Sequence, residues 1–335
     1  MKKKFLALAL TAVMALSLAA CGGDTQSTDT DADTSGDGSA SGSQTYTVGI
    51  IQQVQHEALD AATQGFQDAL TELLGDSVTI APQNASGDTA NCTTIANNFV
   101  SQGVDLIMAN GTTALQAAAT GTSTIPILGT SITEYGVALG IDGFTGTTGY
   151  NVSGTSDLAP LDQQAEMLHT WFPDAQTVGL LYCSAEPNSQ YQVDTVQGYL
   201  EDLGYTCTQY SFSDSNDLSA VASSACTASD VLYVPTDNTA ANNAELIGNI
   251  SLDTGTPIIA GEEGICKGCG VATLTISYYD IGYKTGEMAY DILVNGADPA
   301  TMPIEYAPQF TPKYNPTMCE ALGLTPPDGY EAIAE

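Results

Sequence analysis

Six short polar loops each follow an apolar, β-branched run: Gln52-Gln53, Asn110-Gly111-Thr112-Thr113, Thr130-Ser131, Ser184-Ala185-Glu186-Pro187-Asn188, Thr236-Asp237-Asn238 and Glu262-Glu263. Hydroxyls, amides and carboxylates at strand ends are the groups that hold a small polar solute by hydrogen bonds. In Asn-Gly-Thr-Thr, a glycine just before the first helical turn presents free N–H groups and the positive end of a helix dipole to an anion. Taken singly, each loop reads equally well as a helix cap or as a ligand contact. The chain has no arginine, so an anionic group must be held by backbone N–H groups and hydroxyls instead of a guanidinium clamp. Its two histidines, His56 and His169, belong to no nucleophile, base or metal motif. His56 reads as a polar residue at the mouth of the first helix, and His169, beside Trp171, as a surface or packing residue. The expectation is a binding protein without catalytic residues, cofactor or metal.

The elements that must position these loops follow from periodicity. Strands are expected at 46–52, 77–83, 104–110 and 125–130, with helices at 57–74, 88–102 and 112–122 between them. Leu59, Ala62, Phe66, Leu70 and Leu73 form the apolar stripe of the first helix. The pattern pauses over the glycine- and threonine-rich 142–154 and resumes. Helices are expected at 160–171, 187–203, 238–253 and 279–295, and strands at 177–183, 205–212, 231–235, 256–261 and 270–276. Alternating strands and helices imply parallel sheets covered on both faces, and two similar runs imply two α/β lobes joined by a hinge over a cleft.

Composition places the protein outside the cytoplasm. Lys2-Lys3-Lys4, the uncharged run 5–20 and Leu18-Ala19-Ala20-Cys21 form a secretory signal, with a cysteine at the cleavage point. The apolar run is too short to span a bilayer comfortably. Residues 1–20 are expected as the signal, and 21–45 as an acylated Cys21 followed by a flexible acidic tether without core-forming residues. Asp29, Asp31 and Asp33 imitate the opening of a calcium loop, but Thr34 and Ala40 stand where glycine and glutamate are required. Removing the signal leaves three lysines against 39 acids, a formal charge of −36. That balance excludes nucleic acid and anionic headgroups as partners. Seven further cysteines are too few for a disulfide scaffold, although Cys266 with Cys269, or Cys207 with Cys226, could pair outside the cell.

The segments NVSGTSDLAPLDQQAEM (151–167), VGLLYCSAEPNSQYQV (178–193), LYVPTDNT (232–239) and VATLTISYYDIGYKTGEMAYDIL (271–293) resemble the substrate-binding lipoproteins of ABC transporters that carry tryptophan, tyrosine and related solutes. The opening 48–70 and the closing CEALGLTPP (319–327) fit the same family. The resemblance implies a type I periplasmic-binding-protein fold. Lobe I would comprise 46–152 plus about 277–310, lobe II 153–276, and 311–335 would form a tail packed on the lobes. It also implies a monomer, anchored to the membrane through Cys21, that hands a small molecule to an ABC permease and its ATPase. The solute would be an aromatic or branched-chain amino acid. A receptor for a sensor or chemotaxis system, or a nucleoside or sugar ligand, is the alternative.

By this resemblance Thr112, Thr130, Ser131, Asp157, Ser184, Glu186, Asn188, Asp237 and Glu262 fall on ligand-facing loops. An amino acid needs donors for its carboxylate, an acidic partner for its ammonium and a wall for its side chain. Thr112, Thr130 and Ser131 are expected to supply the first, Asp237 the second with Glu262 behind it, and Tyr135, Tyr191 or Gln53 the third.

Overall fold

The computed structural model describes residues 44–334. The signal, Cys21, the calcium-like aspartates and nearly all of the tether lie outside the described residues. The chain opens with β1 (Tyr46–Gln52), α1 (Glu57–Leu74), β2 (Val78–Asn84), α2 (Thr89–Gln102), β3 (Leu106–Asn110), α3 (Thr112–Gly121), β4 (Ile127–Ile132), α4 (Tyr135–Leu139) and β5 (Val152–Ser156). It continues with α5 (Leu161–Trp171), β6 (Thr177–Cys183), α6 (Pro187–Asp202), β7 (Thr206–Phe212), α7 (Leu218–Ala228), β8 (Val231–Val234), α8 (Asn238–Ala241), α9 (Ala244–Thr254), β9 (Ile258–Ala260), α10 (Glu263–Gly268) and β10 (Ala272–Thr275). The last part holds α11 (Tyr278–Leu293), β11 (Glu305–Tyr306), β12 (Thr311–Tyr314), α12 (Pro316–Leu322) and β13 (Glu331–Ala332).

These strands form two sheets, ordered β11-β5-β4-β3-β1-β2 in lobe I and β13-β12-β10-β9-β8-β6-β7 in lobe II. Among the described residues only the β10–β12 pairing is antiparallel. Strands β3, β4, β5 and β8 are buried along their whole length, as a sheet covered on both faces requires. The chain crosses between lobes at 157–160, 276–277 and 307–310. Helix α11 returns to lobe I and packs on α1 through glycines. A Cβ on Gly282 would lie 2.0 Å from the Ala62 carbonyl oxygen, and one on Gly65 2.1 Å from that of Tyr279. Leu59, Ala62, Phe66 and Leu70 are buried as the helical period demands, whereas Leu73 points outward and is 41% exposed.

The structure departs from the sequence reading in several places. The lobe boundary expected at 152/153 falls after residue 156, because β5 pairs with β4 in lobe I. Its Val-Ser-Gly-Thr-Ser sequence lacks the bulky β-branched signature for a packing reason: a Cβ on Gly154 would lie 2.0 Å from the Gly129 carbonyl oxygen. Residues 311–335 do not simply cap both lobes; β12 and β13 extend the lobe II sheet and α12 buries Met318 and Cys319 in the lobe II core. Helix α7 is not among the expected elements, and the helix expected over 238–253 breaks into α8 and α9 at Asn242-Asn243. Neither proposed disulfide forms. All seven cysteines among the described residues are free thiols, six of them buried, where they pack as small apolar groups.

Candidate functional site

The carboxyl ends of the strands in both sheets face each other across the cleft and enclose a narrow crevice. Lobe I contributes His56 and Leu59 from the start of α1 and Ser131 and Thr133 from the end of β4. The first crossing contributes Asp157, and the start of α11 contributes Tyr278. Lobe II contributes Asn188, Thr236, Asp237, Asn238, Ala241 and Glu262. The crevice holds only about 10 Å³, room for roughly a single water. A solute therefore enters only with the lobes parted. A groove of about 610 Å³ on the hinge side shares Glu262 and Tyr278 with the crevice but is lined in part by exposed side chains such as Glu57 and Tyr279.

Seven buried side-chain polar atoms among the described residues have no hydrogen-bond partner, and four of them line this crevice: His56 Nδ1, Ser131 Oγ, Asp157 Oδ1 and Asn188 Oδ1. Buried polar groups are otherwise almost always paired, so four in one place mark a surface built for a polar guest. Ser131 carries a second mark. Its φ is 55°, a left-handed conformation for a non-glycine residue, at the irregularity where β4 shifts register against β5. Such strain costs roughly 1–3 kcal/mol and persists where the surroundings impose it.

The crevice is acidic without a matching cation. Burial raises the Asp157 carboxyl to about 6; the Tyr278 hydroxyl, which donates to Oδ2 at 3.0 Å, and the Thr133 hydroxyl pull it back down, and the nearby Glu262 pushes it further up. Burial raises Asp237 to about 7, with Glu186 adding to the rise. Glu262 is likewise raised to about 7 by burial, against the backbone N–H groups of Gly264 and Ile265. Burial lowers His56, although Asn238, Glu186, Asp60 and Asp157 each push it up.

The acids differ in what occupies them. Asp237 accepts from Cys183 N at 2.7 Å and from Ala240 N at 2.8 Å, capping α8. Glu262 caps α10 through Gly264 N at 2.7 Å and Ile265 N. Glu186 accepts from Asn238 N, Asn238 Nδ2, Thr239 N and Thr239 Oγ1, so it ties two loops of lobe II together. Asp157 alone keeps an oxygen with no donor.

Of the residues expected at the site, Ser131, Asp157, Asn188, Thr236, Asp237 and Glu262 line the crevice. The others do not. Gln53 Oε1 accepts from Thr113 N and so caps α3, which fixes Gln53 and Thr113 in lobe I. Thr112 is buried in the first turn of α3. The Thr130 hydroxyl pairs with Thr155 at 3.1 Å, and Ser184 donates to the Phe212 carbonyl at 3.2 Å. Tyr135 sits in the lobe I core, donating to the Thr155 carbonyl, and Tyr191 packs on the lobe II core. Sequence reasoning named Asn238 only as part of a polar loop and gave no site role to His56, Thr133 or Tyr278. His56 sits one loop beyond β1, so the strand-end rule applied one residue run further would have included it. His169 bonds the Tyr205 hydroxyl at 2.7 Å, away from the cleft.

Residues 47–334 match the family model described as ABC transporter substrate binding protein. The chain belongs to that family of ABC transporter substrate-binding proteins. A curated relative of this substrate-binding protein, the tyrosine-binding protein of Clostridioides difficile strain R20291, is 35% identical over 294 residues, which cover 87% of this chain and 84% of the relative. An ABC domain from Streptococcus pneumonia solved in complex with L-Trp is 29% identical and superposes with a TM-score of 0.82, covering 87% of this chain and all of that one. The ligand-free, open structure of a substrate-binding protein with adhesive properties from Clostridium difficile is 36% identical, with a TM-score of 0.66 over 86% of this chain and 99% of that one. The higher identity goes with the poorer superposition, the pattern expected when lobe disposition decides the score. The substrate-binding protein described here, with its two lobes pressed together, has the type I periplasmic-binding-protein fold. Proteins of this family work outside the cytoplasm, and among the described residues no helix is long and apolar enough to cross a membrane.

Proposed function

We propose that this substrate-binding protein captures an aromatic amino acid in the interlobe crevice, with the solute's ammonium group against Asp157. The observation that carries the reading is the Asp157 carboxylate: buried, unpartnered at Oδ1, and without a compensating cation in the crevice. A buried charge is tolerable when a counter-charge pairs with it, and an α-ammonium supplies one. The Ser131 and Thr133 hydroxyls, with the N–H groups around them, would take the solute's carboxylate, since the described residues place no cationic side chain on the crevice wall. Leu59, Ala241 and the Tyr278 ring would form the apolar wall. The names of the relatives, tyrosine-binding in one and solved with L-Trp in another, support an aromatic side chain.

On this reading Cys21 is acylated, the tether holds the domain at the outer face of the membrane, and the monomer delivers its solute to a permease and ATPase without catalysing a reaction. Closure follows from differential affinity, since only the closed form brings both lobes onto the solute. Calorimetric titration of the mature chain with the twenty amino acids, uridine and glucose tests this. Binding of L-tyrosine or L-tryptophan in the micromolar range or tighter is expected, with a raised Tm. Binding of the nucleoside or sugar, with none by amino acids, would overturn it.

A further inference from the structure

We propose that His56 binds the solute directly: its ring is held in the tautomer that leaves Nδ1 bare, and that nitrogen accepts the third N–H of the ammonium group. The inference rests on the amino-acid reading of the crevice and deepens it.

The Glu186 carboxylate can only accept, and it takes hydrogen bonds from Asn238 N at 3.0 Å and Asn238 Nδ2 at 2.7 Å. The Asn238 amide is thereby oriented, with Oδ1 turned to His56 Nε2 at 3.1 Å across the cleft. An amide oxygen cannot donate, so Nε2 carries the ring proton. Burial favours the neutral ring, so Nδ1 is left as a lone pair. That nitrogen is solvent-inaccessible, has no partner and belongs to a residue of the crevice wall.

Two further acceptors share this condition. Asn188 Nδ2 donates to the Thr236 carbonyl at 3.1 Å, which orients its amide and leaves Oδ1 as an unpartnered acceptor. Asp157 Oδ1 is the other. An ammonium group has three N–H donors, and besides the Ser131 hydroxyl the crevice offers three unpartnered acceptors: one from lobe I, one from a crossing and one from lobe II. The His56–Asn238 bond spans the cleft, so closure itself sets the tautomer that makes Nδ1 an acceptor. Glu186 and Asn238 are positioning residues in this scheme.

The test uses two substitutions with opposite geometry. In His56→Gln the amide reaches the Nε2 position, keeping a donor toward Asn238 and removing the acceptor at Nδ1. In His56→Asn the amide oxygen lies near Nδ1, keeping an acceptor and giving up Asn238. The probes are L-tyrosine, L-tryptophan and their counterparts lacking the amino group, 3-(4-hydroxyphenyl)propionate and 3-indolepropionate. His56→Gln is expected to shrink the preference for the amino acid over its counterpart on the order of 10-fold or more, and His56→Asn by less. Equal weakening toward both probes would assign His56 to closure alone and overturn the proposal. If the wild-type chain binds neither amino acid, the amino-acid reading fails first and takes this proposal with it. A second readout does not depend on a variant: with only two histidines in the chain, ¹⁵N spectra of the saturated wild-type protein should show His56 protonated at Nε2 and bare at Nδ1. A proton on Nδ1 would overturn it.

Discussion

The crossing between lobes and the loops of lobe II both carry carboxylates into one crevice, yet they use them differently. Asp237, Glu262 and Glu186 spend their oxygens on backbone N–H groups of lobe II, where they cap α8 and α10 and join one loop to the next. Asp157 Oδ2 receives the Tyr278 hydroxyl from the start of α11, and its Oδ1 has no hydrogen-bond partner. A residue type at a strand end therefore does not announce its role; the number of donors already committed to it does. In lobe II the acids hold the site's shape. At the first crossing Asp157 keeps an oxygen without a donor, and its bond to Tyr278 ties that crossing to the start of α11.

The largest effect should come from Asp157→Asn, which removes the charge and keeps the shape. Affinity for L-tyrosine and L-tryptophan should fall on the order of 100-fold or more, as when one partner of a buried charge pair is lost. The Tm of the ligand-free protein should hold or rise, since a desolvated carboxylate disappears; a large loss of Tm with unchanged affinity would erase the contrast. Asp237→Ala should do the reverse. Losing the cap of α8 and the bond to Cys183 N should cost about 1–3 kcal/mol in denaturant unfolding, with a smaller change in affinity.

The effect of pH sharpens the comparison further. Asp157 at about 6, and Asp237 and Glu262 at about 7, all lie above the ordinary carboxylate range. The folded state thus holds protons that the unfolded chain has released. The stability these groups contribute is full below about pH 4 and is lost as pH rises through 6 to 7. An ammonium ligand requires the ionised carboxylate, so its stabilising effect should run the other way. The ligand-induced rise in Tm should grow between pH 5 and pH 8, and a flat profile would count against a buried acid as the ammonium's partner. The smallest effect is expected at Ser131. Glycine tolerates φ 55°, so Ser131→Gly should stabilise the fold by a few tenths to about 1 kcal/mol while weakening binding several-fold through the lost hydroxyl. Destabilisation would mean that the backbone there is not strained.

The two lobes differ also in how plainly their sequences speak. Strands such as β3 and β8 stand out because both their faces need bulky apolar side chains. Strand β5 is hidden because the Gly154–Gly129 approach demands small ones, and this hides the true start of lobe II. Strands β12 and β13 escape notice because they are short and lack buried residues, with β13 exposed at the sheet edge. The polar loops at strand ends are legible as a class. Ser131, Asn188, Asp237 and Glu262 reach the crevice from them, whereas Gln53, Thr130 and Ser184 turn back to bond within their own lobes. The direction of a loop side chain depends on which donor lies within 3 Å, often from a segment distant in sequence. Asp237, the residue expected to face the ammonium, illustrates this: the Cys183 N–H that occupies its Oδ2 lies 54 residues away.

The most direct measurement is a crystal structure of the mature domain with bound L-tyrosine or L-tryptophan. The account predicts closed lobes, with the ammonium nitrogen at about 2.7–2.9 Å from Asp157 Oδ1 and the carboxylate toward Ser131. An ammonium held by Asp237 or Glu262, with Asp157 Oδ1 left unbonded, would contradict it.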